Sequence, residues 1–192
     1  MIYCAKSEYE MYADTSGWRT LPTHVPSAVF KTRVRDERVG GDNPYRWEDV
    51  STWDIFASRR VLVFSLPGAF TPTCDTMQLP EFERLADEFY SKEIDGIYCI
   101  SVNDAFVMNR WAASQSLLGV SVLPDGNGTF TEKMEMLVDK ENLGFGRRSW
   151  RYAAVVDNGR ITDWFIEEGK DHNCEDDPYL YTDPNFILRK LS

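Results

Sequence analysis

The chain has 192 residues, 43% apolar and 27% charged, which is long enough for one folded domain and too apolar for disorder throughout. Its 31 acidic and 21 basic side chains leave a net charge of −10, which repels phosphate backbones and anionic lipid and so argues against nucleic-acid or membrane-surface binding. No apolar run approaches the roughly 20 residues of a membrane-spanning helix.

Met1 to Glu10 contains no basic segment followed by an apolar one, and Glu8 and Glu10 argue against a transit peptide, so a cytoplasmic address is expected. Residues 1–24 are polar and aromatic without periodicity and read as an N-terminal extension; residues 25–192 read as the folded domain. Val29 to Arg35 interleaves apolar and basic residues as a half-exposed strand does, and Gly40-Gly41-Asp42-Asn43-Pro44 is a turn. Asp49 to Phe56 suits a short helix.

Val61 to Leu66 is an apolar run closed by Pro67-Gly68, as expected of a strand buried on both faces. Leu79, Phe82, Leu85, Ala86 and Phe89 then recur at helical spacing, with Pro80 predicting a kink or a late start. Ile97 to Val102 reads as a second buried strand, 105–118 as a helix and Val120 to Leu123 as a third strand. Thr129 to Leu137 is expected to be helical. Tyr152 to Val156 and Ile161 to Ile166 flank Asn158-Gly159 as a hairpin, and Asn185 to Leu191 closes the chain as a helix. Strands alternating with helices before a terminal hairpin indicate α/β architecture with a central mixed sheet flanked by helices.

The chemistry concentrates in Pro67-Gly68-Ala69-Phe70-Thr71-Pro72-Thr73-Cys74, which leaves a buried strand and enters a helix. A sulfur in the first helical turn faces unpaired N–H groups and the positive end of the dipole, which favour its anionic form, a nucleophile and redox target. Thr71 can turn its hydroxyl toward that sulfur or a bound oxygen, and Pro67 can wall off one side without offering a competing N–H. A fixed positive charge must come from elsewhere, and Arg147, Arg148 and Arg151 all precede the hairpin. Cys99 lies in an apolar strand and reads as core, and Cys4 as incidental. With no Cys-x-x-Cys and only His24 and His172, no metal is expected.

Pro-x-x-x-Thr-x-x-Cys resembles the peroxidatic motif of the peroxiredoxins. Leu66 to Cys74, Ser101 to Met108, and Leu143 to Gly146 with Ser149 to Tyr152 resemble the Prx5 subfamily, including the peroxiredoxin half of bacterial peroxiredoxin–glutaredoxin hybrids. The likeness runs from about Leu21 to Leu191 and implies a thioredoxin-like fold, a homodimer and reduction of hydrogen peroxide and alkyl hydroperoxides. On it, Cys74 takes the nucleophile's place, Thr71 binds the peroxide, Pro67 shields the product and Arg151 is the family's arginine, with no metal, haem or flavin. Asp75 and Gln78 depart from the subfamily, which usually has Ser and His there.

Some Prx5 members resolve the oxidised sulfur with a cysteine in the C-terminal loop, where Cys174 stands here. Asp171, Glu175, Asp176 and Asp177 surround it and disfavour its thiolate. The favoured reductant is therefore glutathione, with or without a glutaredoxin, and the alternative is a Cys74–Cys174 disulfide reduced by thioredoxin. Two other classes compete: a Cys–His hydrolase using His24 or His172 as base, and a non-catalytic thioredoxin-fold binding or signalling partner.

Overall fold

A computed structural model of the protein describes residues 20–191. Most of the expected N-terminal extension, residues 1–19 with Cys4 among them, lies outside the described residues. In chain order the strands are β1 (Val29–Arg35), β2 (Tyr45–Ser51), β3 (Arg60–Ser65), β4 (Gly96–Ser101), β5 (Val120–Pro124), β6 (Leu137–Asp139), β7 (Arg147–Ser149), β8 (Tyr152–Asp157) and β9 (Arg160–Ile166). The helices are α1 (Thr52–Phe56), α2 (Leu79–Arg84), α3 (Ala86–Tyr90), α4 (Ala105–Gln115), α5 (Thr129–Lys133) and α6 (Pro184–Lys190).

The central sheet runs β5-β4-β3-β8-β9. β3 pairs parallel with β4 and antiparallel with β8, giving the expected mixed sheet. β3 is apolar throughout because both faces are covered. Leu62, Phe64 and Leu66 point into one core with Ile97, Cys99, Ala153 and Val155, under α2, α3, α4 and α6. Val61 and Val63 point the other way with Ile100, Ala154 and Val156, against α1, α5 and the β1–β2 ribbon. Phe82 of α2 stacks on Phe64 with ring centroids 3.9 Å apart, fixing that helix over the middle strand. The hairpin forms as expected: Asn158 and Gly159 both take positive φ, as a two-residue turn of this kind requires. Thr23 and Val25 hydrogen-bond to that turn at Ile161 and Gly159.

Several elements differ from expectation for identifiable reasons. Asp49 to Ser51 end β2 rather than open a helix; α1 starts at Thr52 because Ser51 caps it reciprocally with Asp54. β2 escapes the periodicity because both faces of much of the ribbon meet solvent. The helix expected over Thr129–Leu137 stops at Lys133, and Leu137 enters the three-residue pairing of β6 with β7, too short to pattern. α4 ends at Gln115 instead of 118, with Ser116 in the left-handed conformation. Pro80 does perturb its helix. Having no N–H to donate, it follows a π-turn over Cys74–Gln78, whose last bond runs from Leu79 N–H to the Cys74 carbonyl.

Candidate active site

The loop after β3 delivers Cys74 to the first turns of this helical run. The loop is set by three contacts. Asn103 Oδ1 accepts from Ala69 N–H at 3.0 Å and from the Ser101 hydroxyl at 2.7 Å, which ties it to the end of β4. Phe70 adopts a left-handed backbone with φ of 62°, a costly conformation for an aromatic residue. Its ring leans toward Trp111 of α4, at 6.2 Å between centroids. Thr71 donates its hydroxyl to the Gly68 carbonyl at 2.8 Å. That proton therefore points to Gly68 rather than to the sulfur or a bound oxygen, the two acceptors the sequence suggests, and the Thr71 oxygen keeps lone pairs with which to accept. Pro67 is half-buried at the mouth of the loop.

Cys74 is fully buried and meets one cation. Arg151, 1% exposed and immediately ahead of β8, donates from Nη1 to Cys74 Sγ at 3.4 Å. The same Nη1 donates to Gln78 Oε1, and Nη2 to the Asp177 carboxylate. The Tyr179 ring lies 5.7 Å from the guanidinium carbon. Burial alone lowers the proton affinity of Arg151, but the Cys74 sulfur and Asp177 outweigh it and the net shift is upward. The other two arginines go elsewhere. Arg147 pairs with Glu132 on the surface, while Arg148 braces the carbonyls of Val102 and Phe145.

Gln78 and Asp177 join the site without having been assigned to it from sequence. Gln78 is four residues past Cys74 and so shares its helical face, a signal available in the chain. Asp177 arrives on the long segment 167–183 between β9 and α6, and nothing local marks it. Asp75 is turned away from the sulfur. Its carboxylate accepts from Trp111 Nε1–H at 2.6 Å and from the Gln115 amide at 2.8 Å, fastening the Cys74 turn to α4. Asp75→Ala therefore strands a buried indole N–H and should cost roughly 1–3 kcal/mol in stability, measured by denaturant unfolding.

The described cysteines are all free thiols. Burial pushes the Cys99 thiol well up, with the Cys74 sulfur adding to the shift, so Cys99 is an inert core residue. Cys174 packs against the core on the face of the sheet opposite Cys74, and its carbonyl accepts from Lys140 Nζ at 2.6 Å. His172 Nδ1 accepts from Asp139 N–H at 2.9 Å, and His24 bridges to Arg160 at the hairpin turn. The group on Cys74 is thus a guanidinium, not the imidazole a Cys–His hydrolase would place there. Among the described residues no group of His, Cys, Asp and Glu is arranged to hold a metal.

A family described as Redoxin matches residues 46–182. A protein named peroxiredoxin from Rhizobium etli is 59% identical over 90% of this chain and 96% of its own length. The hybrid peroxiredoxin hyPrx5 of Haemophilus influenzae is 45% identical over 88% of this chain and 64% of its own. A solved Plasmodium falciparum antioxidant protein, described as a 1-Cys peroxiredoxin, superposes with a TM-score of 0.81 and 36% identity, covering 88% of this chain and 97% of that one.

Proposed function

The chain belongs to the peroxiredoxins, which are thiol peroxidases with a thioredoxin-like fold, and from that premise we propose that Cys74 is its peroxidatic nucleophile and an external thiol its reductant. The observation that carries this reading is the buried Arg151 guanidinium on the Cys74 sulfur. The sulfur reacts as a thiolate and attacks one peroxide oxygen; an S–O bond forms and the O–O bond breaks. Charge developing on the departing oxygen is stabilised by the Arg151 N–H groups, while the Thr71 oxygen accepts from the peroxide O–H and so orients it. Pro67 shields the resulting Cys74 sulfenic acid. Hydrogen peroxide and alkyl hydroperoxides are the substrates.

Glutathione, delivered with or without a glutaredoxin, then condenses with the sulfenic acid to a mixed disulfide and water, and a second thiol frees Cys74. Two observations favour this over a Cys74–Cys174 disulfide reduced by thioredoxin. Cys174 packs on the other face of the sheet, and Lys140 holds its backbone. The 1-Cys description of the Plasmodium relative points the same way. We place the protein in the cytoplasm as a homodimer, a state that would cover the exposed Trp47, Phe70, Met77 and Phe106.

The test is intact mass after one equivalent of hydrogen peroxide, followed by turnover with each reductant. A gain of one oxygen and turnover on glutathione that Cys174→Ser leaves within about twofold are expected. Loss of two hydrogens, abolished by Cys174→Ser, would replace glutathione with the intramolecular route.

A further inference from the structure

Arg151 is a fully buried cation whose counter-charge changes during the reaction. In the reduced enzyme its guanidinium faces the Cys74 sulfur, which reacts as a thiolate, from one side and the Asp177 carboxylate from the other. Its other neighbours are uncharged: Gln78 is an amide, and burial keeps the Tyr179 phenol protonated by raising it well above its ordinary value. Oxidation consumes the first anion: Cys74–S⁻ + ROOH + H⁺ gives Cys74–SOH + ROH. Sulfur loses two electrons to the peroxide, and the negative charge leaves on the alkoxide that takes up the proton. Asp177 is then the one carboxylate hydrogen-bonded to Arg151 among the described residues. A buried guanidinium stripped of every anion is strongly disfavoured.

We propose that Asp177 is a positioning residue for the sulfenic state: it holds Arg151 against Cys74 after the thiolate charge has gone. The inference rests on Cys74 being the oxidised residue. The segment carrying Asp177 is built for this duty. Glu167, fully buried, accepts from the N–H groups of Leu180 and Thr182 and from the Thr182 hydroxyl, which closes one end of the segment. Asn173 donates to the Asp139 carbonyl at 2.7 Å and fastens the other. Neither anchor involves the sulfur, so both persist through its oxidation, and Asp177 and Tyr179 stand between them on Arg151.

The consequence is a bias in the fate of the sulfenic acid. With Arg151 retained, its N–H groups stabilise the negative charge that develops on Cys74 as the sulfenic proton is lost in attack on a second peroxide, and Cys74–SOH + ROOH gives Cys74–SO₂H + ROH more readily, in competition with reduction by thiol. Asp177→Asn removes the anion while its isosteric amide oxygen can still accept from Arg151 Nη2, and denaturant unfolding of the variant reports how far the fold is affected. The peroxide step of the variant is measured separately as a single-turnover rate, since Gln78 and the Cys74 sulfur still meet Arg151 there while its tie to residue 177 is weakened. The fraction of sulfinic acid formed per turnover, read by intact mass at fixed hydrogen peroxide and glutathione, should fall several-fold relative to that step. Asp177→Glu should restore it.

A merely structural role would lower the peroxide step and the sulfinic fraction in proportion, and that result overturns the proposal. So does an unchanged fraction in Asp177→Asn when the wild type gains oxygen on Cys74. If the wild type gained none there, the assignment of Cys74 would fall first, and the inference with it.

Discussion

Cys74→Ser should reduce peroxide turnover to background while leaving the fold intact, read by coupled peroxidase assay and by intact mass after one equivalent of hydrogen peroxide. The loss is complete because a serine hydroxyl is not ionised at neutral pH and offers the peroxide a far weaker nucleophile. Protein stability should barely move. The serine oxygen can accept from Arg151 Nη1 where the sulfur does now, so no buried donor is stranded. Cys99 and Cys174 cannot substitute. Cys99 is sealed in the core with its thiol pushed well up, and Cys174 faces the opposite core without a guanidinium. Rapid oxidation surviving in Cys74→Ser would refute the assignment and move the chemistry to another sulfur.

The central sheet was readable because β3, β4 and β8 bury both faces, which leaves continuous apolar runs with no competing period. The Cys74 loop was readable because a strand, a Pro-Gly break and a helix start lie within one contiguous stretch. From spacing alone Arg151 stood in a set of three, since Arg147 and Arg148 precede the hairpin equally well, and it was the family resemblance that singled it out. What separates them is burial: Arg147 reaches Glu132 on the surface, whereas Arg151, the residue just before β8, turns inward. β2, β6 and β7 were not legible, because an exposed ribbon carries no apolar alternation and three-residue strands are too short to show a period. Asp177 was illegible for a different reason, since its partner lies far back in the chain. It sits in an acidic loop, indistinguishable from Asp176 beside it until the path of the chain carries it to Arg151, 26 positions away. The left-handed Phe70 is similar: it follows from the Asn103 and Trp111 contacts that close the loop, not from any preference of phenylalanine.

Arg151→Lys should lower kcat/KM for hydrogen peroxide by about 10²–10³, the scale for removing one preorganised donor from a developing oxyanion. Keeping the charge does not keep the function. Arg151 uses a rigid fork, with Nη1 on Cys74 and Gln78 and Nη2 on Asp177, and a lysine ammonium is a point charge that cannot span those partners in one plane. The pH profile separates this from simple disruption. The guanidinium stays protonated in its buried place because the sulfur and Asp177 outweigh desolvation, so the wild type should lose no activity on the alkaline side from this group. A lysine at the same 1% exposure starts from a lower proton affinity, and burial lowers it further. Its contribution is present below that reduced value and is lost as pH rises through it. The variant should therefore show a new alkaline limb that the wild type lacks, in single-turnover rates measured between about pH 6 and pH 10. A uniformly depressed profile of unchanged shape would mean that the lysine stays charged and that geometry alone accounts for the loss. A variant as fast as the wild type would remove Arg151 from the peroxide step and leave the buried guanidinium as a structural tie to Asp177.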